Sequence, residues 1–211
     1  IAGHPKFKRV SIFHALNQKA IARRHAHSNN RKYEEMNFIV AHLGGGISVG
    51  AHHYGKVIDV NNALDGDGPF SPERSGSLPS GQMIKHCFSG KYTQEEMEKM
   101  VCGEGGLVAY LGTNQAYEVE IRAKEGDLES QLIQDAMAYQ IAKSIGEMAV
   151  VLKGKVDAIL LTGGIANNND LCDYIRKMVE FIAPVVTYHG EDEMSAPVSY
   201  SHRTLPTKRV V

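Results

Sequence analysis

Apolar positions along this chain follow two different periods. Between Phe38 and Val60 they fall in short runs: Phe38 to His42, Ile47 to His53 and Lys56 to Val60 read as three successive strands. The first two are joined by Gly44-Gly45-Gly46 and the last two by a tight turn at Tyr54-Gly55. From Glu129 to Lys153 the period changes. Ile133, Met137, Ile141, Ile145, Met148 and Leu152 step by three or four and mark one face of a long helix. Such a helix is roughly 37 Å long, enough to cross a sheet, and Gly154 ends it. Val156 to Thr162 is a continuous apolar run, the pattern of a buried parallel strand. Leu171, Ile175, Met178 and Ile182 predict a helix behind it, capped by one of Asn167 to Asn169, and Ala183 to Tyr188 reads as a further strand. Strand, glycine turn, helix, strand is a right-handed crossover, so the second half is α/β.

The remaining elements are shorter. A helix is predicted over His14 to His25, two more over Ser80 to Phe88 and Thr93 to Val101, and a polar one from Gly112-Thr113-Asn114 to about Lys124. Thr93 and Glu96 have capping-box spacing. Asn61 to Gln82 is a long stretch with four glycines, three prolines and no periodic apolar face. Loops of that length are usually functional or disordered. Its single Arg74, between Glu73 and Ser75-Gly76, favours a shaped binding loop. A mobile surface loop, with Arg74 paired to Glu73, fits the same residues.

Two glycine clusters carry candidate chemistry. Gly44-Gly45-Gly46 leaves backbone N–H groups uncovered, and such a turn can close on a phosphate. Gly163-Gly164 ends a parallel strand, where ligands of α/β sheets sit. Either cluster is also compatible with an ordinary turn.

Composition excludes some classes. The formal net charge of the 211 residues is −1, which gives no global field for nucleic acid or an anionic membrane. No run of about 18 apolar residues exists, so no membrane span is expected. Cys87, Cys102 and Cys172 lack metal-type spacing and read as reduced thiols of a cytoplasmic protein with no secretory signal. The chain starts Ile1-Ala2-Gly3, which suggests a piece of a longer protein.

Three motifs stand in a fixed order: H-L-G-G-G-I-S-V-G-A, then D-G-P-F-S-P-E-R-S-G, then L-L-T-G-G-I-A-N-N. Together they resemble the butyrate kinases, a branch of the acetate kinase family, over about residues 3 to 194. The resemblance implies a ribonuclease-H-like domain of the actin/Hsp70-type ATPase kind, with a mixed sheet flanked by helices. Residues 1–190 correspond to the family's C-terminal nucleotide-binding domain, and its N-terminal domain is expected to be missing. Residues 191–211 are expected to form an atypical tail, because Pro197 and Pro206 replace an apolar returning helix.

The resemblance also implies roles. Gly44, Gly45 and Gly46 would face the β/γ-phosphates of ATP, and Gly163, Gly164, Ile165 and Asn168 would lie at the adenosine. Asn114 sits at a nucleotide contact. Next to it the wider family often has an Asp and an Arg where this chain has Gln115 and Tyr117. Arg74 takes the place of a transition-state arginine, and His14 and His42 match histidines near the transferred phosphoryl. Pro69-Phe70 would receive the alkyl tail. Magnesium would be held mainly from outside this chain, with Glu193 as a weak candidate contact.

The implied reaction is butyrate plus ATP giving butyryl phosphate plus ADP, with full-length members expected to be homo-oligomers. A carboxylate is already ionised at neutral pH and needs no general base. The site must bring two anions together and stabilise charge on the moving phosphoryl, work suited to the planar fork of an arginine. His14 and His42 could donate hydrogen bonds, more strongly if protonated. Two other readings remain: a kinase for acetate, propionate or a branched-chain acid, and a non-catalytic ATP-binding module of the Hsp70/actin type.

Overall fold

The computed structural model describes residues 1–189. Five strands form one sheet: β1 (Asn37–Leu43), β2 (Ile47–His53), β3 (Lys56–Val60), β4 (Ala158–Thr162) and β5 (Val185–Thr187), in the order β3-β2-β1-β4-β5. β2 runs antiparallel to β1 and β3, whereas β4 is parallel to β1 and to β5. The sheet is therefore mixed, as expected. β5 is shorter than the predicted strand and only half-buried, in keeping with its edge position.

Seven helices accompany the sheet: α1 (Ala15–Ser28), α2 (Ser80–Cys87), α3 (Gln94–Val101), α4 (Leu107–Leu111), α5 (Ala116–Lys124), α6 (Leu128–Val151) and α7 (Asn169–Val179). Thr93 caps α3 through the expected reciprocal bonds with Glu96. Asn168 is the residue of the Asn run that caps α7, and Asp127 caps α6.

Alternation along β1 divides the core in two. Ile39, Ala41 and Leu43 face α6, whose Ile133, Met137, Ile141, Ile145 and Met148, with Leu152 at its C-cap, are all buried on that side of the sheet. Phe38 and Val40 face the other way, onto Ile21, Ala22 and Ala26 of α1. Burying each large side chain of this kind contributes roughly 1.5–3 kcal/mol, so helices on both faces hold the sheet. By the same period of two, His42 lies on the α1 side.

The long loop is not a loose surface segment. Asn61 accepts the Val49 N–H at 2.7 Å and donates to the Ile47 carbonyl at 3.1 Å, continuing the ladder of β2 with a side chain. Asp67 accepts the Asn62 N–H, and Asn62 accepts those of Leu64 and Asp65. The Arg74 backbone pairs with Cys102 just after α3. These bonds supply partners for backbone groups that would otherwise be stranded in a partly buried loop.

Candidate active site

β1 and β4 are parallel neighbours, so their carboxyl ends open onto the same rim of the sheet. Gly44-Gly45-Gly46 leaves β1 there and Gly163-Gly164 leaves β4. Gly163 has φ +95°, and a Cβ on it would come within 2.4 Å of the Leu43 carbonyl oxygen. Only glycine lets the two turns pack back to back. Between them lies a cleft of about 420 Å³ lined by Gly44, Gly45, Asn114, Tyr117, Ile165 and Asn168, among others. The structure thus brings Gly44, Gly45, Asn114, Gly164, Ile165 and Asn168 together from distant parts of the chain, while Gly46 and Gly163 lie behind the lining.

Their individual situations differ. Gly45 is exposed, with nothing nearer than 3.7 Å to the position of a Cβ. Gly164 is likewise open, whereas Ile165 is buried and forms a wall. Asn168 spends Oδ1 on the Leu171 N–H and Nδ2 on Gln134, so its amide is held in place by the α7 cap and α6. Asn114 donates to Glu73 at 3.2 Å. Tyr117 stands 73% exposed at the lip of the cleft.

Arg74 reaches the first glycine turn directly. Its Nη1 donates to the Ala63 carbonyl at 2.5 Å and lies 1.8 Å from where a Cβ on Gly46 would be. Its Nε is buried without a hydrogen-bond partner among the described residues. Glu73 turns to Asn114 instead, and among the described residues no ion pair between Glu73 and Arg74 forms. Ser71 Oγ donates to the Gly45 carbonyl at 2.6 Å, pinning the arginine loop to the turn.

The two histidines are stacked. Their ring centroids are 3.8 Å apart with an 18° tilt, His14 entering from the start of α1 and His42 from β1. His42 Nε2 lies 3.0 Å from the position of a Cβ on Gly44, so the pair abuts the glycine turn. The Ala63 N–H donates to the Ile12 carbonyl, which joins the His14 segment to the arginine loop. Burial, aided by the adjacent His14 ring, pushes His42 down to about 3. It is neutral near pH 7, so the expected gain from a protonated His42 does not apply.

Two expectations need correction or lie elsewhere. Phe70 is packed in the main core, with its N–H donated to Gln140 of α6, and Pro69 lines a separate polar cleft with Asn61 and Tyr139. The loop doubles back between Phe70 and Arg74, where the Ser71 N–H meets the Arg74 carbonyl. The apolar space beside the arginine loop is a cavity of about 710 Å³ lined by residues that include Ile12, Leu64, Met83, Met97 and Val101. Glu193 and the tail lie outside the described residues. Among the described residues no group of three or more His, Cys, Asp or Glu side chains could hold a metal ion.

The sequence reading missed Asn17, Gln18, Ser48 and Ser71. Asn17 Oδ1 lies 2.9 Å from His42 Nδ1, Ser48 Oγ lies 2.9 Å from His14 Nδ1, and Gln18 donates to Ser48. Polar residues at inward positions of α1 and β2 were the available signal.

A mixed sheet with helices on both faces and a glycine-lined cleft at the rim of its parallel strands defines an α/β domain of the acetate and propionate kinase type. Residues 8–186 match the Acetokinase family, and the chain belongs to that family. It is 58% identical over 204 residues to Butyrate kinase 2 of Clostridium acetobutylicum, covering 97% of this chain and 57% of that protein. The chain therefore spans little more than half the length of that curated relative. The fold is similar to the crystal structure of Porphyromonas gingivalis acetate kinase (TM-score 0.81, 20% identity, 89% of this chain and 54% of that one). It is also similar to a propionate kinase from Francisella tularensis (TM-score 0.73, 25% identity, 87% and 53%). No helix among the described residues is long and apolar enough to cross a membrane.

Proposed function

We propose that this chain is the C-terminal, nucleotide-gripping domain of a short-chain carboxylate kinase, transferring a phosphoryl group between ATP and butyrate. The observation that carries the reading is the guanidinium of Arg74 laid against Gly46, on the same turn that abuts the stacked His14–His42 pair. A carboxylate oxygen attacks the γ-phosphorus, the P–O bond to ADP breaks, and ADP leaves with the electron pair. In the reverse direction the β-phosphate oxygen of ADP attacks butyryl phosphate. No proton need move, because the carboxylate is already ionised.

The chain's residues then divide the work. The backbone of Gly44, Gly45 and Gly46 borders the polyphosphate, and Gly164 and Ile165 border the adenosine end of the cleft. Arg74 holds attacking and transferred oxygens in one fork and opposes the charge that develops on them. His14 and His42 act as hydrogen-bonding groups at the phosphoryl, His42 as a neutral ring. A magnesium ion would accompany the nucleotide. The described residues offer no ligand cluster for it, and no step is routed through it.

For the alkyl tail, the apolar cavity along Ile12, Leu64 and Met97 replaces Pro69-Phe70 as the candidate seat. It adjoins the arginine loop through Leu64, which follows the Ala63 that accepts from Arg74, and through Cys102, which pairs with the Arg74 backbone. Butyrate fills the cavity better than acetate, and each further CH₂ is worth only about 1–3 kcal/mol, so neighbouring acids overlap as substrates.

The test is ATP-dependent hydroxamate formation from acetate, propionate, butyrate and isobutyrate. It is run with this chain alone and with the chain joined to the complementary domain of a two-domain relative. The joined protein is expected to favour butyrate and the isolated chain to turn over little. No turnover with any carboxylate in the joined protein would reject the assignment, and full turnover by the isolated chain would reject the two-domain requirement.

A further inference from the structure

A buried line of polar groups runs between α1 and the sheet, away from the cleft. Ser48, Gly50 and His52 occupy alternate positions of β2 and so share the α1 face with His42. Gln18 of α1 lies across Gly50, where a Cβ would meet its Oε1 at 2.5 Å. Both ends of the amide are engaged. Nε2 lies 3.1 Å from the Ser48 carbonyl and 2.9 Å from Ser48 Oγ, while Oε1 lies 3.0 Å from His52 Nε2. His52 Nδ1 in turn lies 2.7 Å from the Tyr33 hydroxyl. Gln18, Ser48 and His52 are fully buried, so each of these polar groups is costly to leave unsatisfied.

The direction of every bond in this line follows from one fixed point. The Ser48 carbonyl can only accept, so the amide nitrogen of Gln18 must face it and the amide oxygen must face His52. His52 then donates from Nε2 and accepts at Nδ1 from Tyr33. Its pKa is pushed down to about 3, mainly by burial and then by Lys19, which agrees with a neutral ring. At the other end, Ser48 Oγ already accepts from Gln18. Among the described residues the one acceptor for its own proton is His14 Nδ1, 2.9 Å away.

We propose that Gln18 is a positioning residue for His14: acting through the Ser48 hydroxyl, it holds the His14 ring as the Nε2–H tautomer. His14 Nδ1 is kept as an acceptor, and Nε2 becomes the donor. This rests on the reading of His14 as a group that meets the transferred phosphoryl, for which a fixed donor avoids reorganisation during the reaction. It assigns work to Gln18, Ser48, Gly50 and His52 at a distance from the nucleotide cleft. Gly50 belongs to the device because any larger residue would push the amide off the line.

The tautomer is directly measurable. Long-range proton–nitrogen correlation spectra of the nitrogen-15-labelled chain at neutral to mildly alkaline pH are expected to show His14 with a protonated Nε2 and a bare Nδ1. Ser48→Ala is expected to lose that single-tautomer pattern, and Ser48→Thr, which keeps the hydroxyl, to retain it. Gln18→Leu is expected to weaken the preference while the signals of β1 and β4 stay in place. A wild-type His14 protonated at Nδ1, or a folded Ser48→Ala variant with the pattern unchanged, would overturn the proposal. A wild-type His14 protonated at Nδ1 rejects the proposal even if a variant does not fold, and a folded Gln18→Leu variant with an unchanged pattern rejects the role of Gln18. Acetyl phosphate with ADP, added to the chain joined to its complementary domain, probes the phosphoryl contact separately. An unshifted His14 Nε2 signal would reject that contact and leave the tautomer assignment standing on its own spectrum.

Discussion

Arg74 occupies the space that any side chain at residue 46 would need: its Nη1 lies 1.8 Å from the Cβ position of Gly46. The two residues are 28 positions apart in sequence, yet no side chain can be added at residue 46 without moving the guanidinium. Gly46→Ala is expected to displace the guanidinium while leaving it in the protein. In a protein carrying both domains, Arg74→Ala should lower kcat on the order of 10³-fold with little change in nucleotide affinity. Gly46→Ala should reproduce most of that loss. Steady-state kinetics with butyrate and ATP, alongside nucleotide titration, would check both, and a Gly46→Ala enzyme with normal kcat would break the link.

Gly45, one residue away, should behave differently. A methyl group there meets nothing closer than 3.7 Å and faces the cleft. Gly45→Ala is expected to leave thermal stability within about 0.5 kcal/mol of the parent, as for an uncrowded surface change. It should nonetheless weaken ATP binding at least several-fold by obstructing the turn's approach to phosphate. Calorimetric titration and a melting curve on the same sample would separate these effects.

The buried histidines set the acid limit of the fold. His42 and His52 stay neutral down to about 3, whereas in the unfolded chain they take a proton near their ordinary 6.5. Between those values the unfolded state binds more protons, so stability is full above 6.5 and falls as pH drops toward 3. Each histidine contributes a loss on the order of 1 kcal/mol per pH unit in that window. Denaturant melts from pH 7 to pH 5 should show the slope, and His52→Asn should remove about half of it.

Tyr117 stands exposed at the cleft, at the position where the family resemblance leads one to expect an arginine. Tyr117→Arg is expected to tighten ADP and ATP binding several-fold, and the gain should shrink at high ionic strength because the site is exposed. Fluorescence titrations at two salt concentrations would test this. Equal affinity at low salt would show that residue 117 lies outside the polyphosphate's reach.

Leu64 and Met97 line the apolar cavity beside the arginine loop. Leu64→Phe is expected to lower kcat/KM for butyrate more than for acetate, by about tenfold in the ratio, the scale of one or two lost CH₂ contacts. A substrate series on the two-domain protein would measure it. An unchanged ratio would place the alkyl seat elsewhere.

The fold was legible wherever one physical signal dominated. The face of α6 could be read from Ile133 to Leu152, the cap of α3 from Thr93 and Glu96, and the turn of β1 into β2 from three glycines. The glycine turns that line the cleft could be read for the same reason, since such turns at strand ends are local features. The α1 face was not legible. Gln18 meets Ser48 30 residues on and His52 34 residues on, and nothing in either segment alone reveals the contact. Phe70 precedes Arg74 by four residues, yet its ring packs in the main core, a burial that sequence spacing alone does not reveal.

The contact of Gly163 with the backbone of Leu43 fuses the two glycine turns into one stiff lip. Neither turn can swing outward while the other stays put. Whatever enters the cleft therefore meets both turns as one fixed edge rather than as two independent flaps.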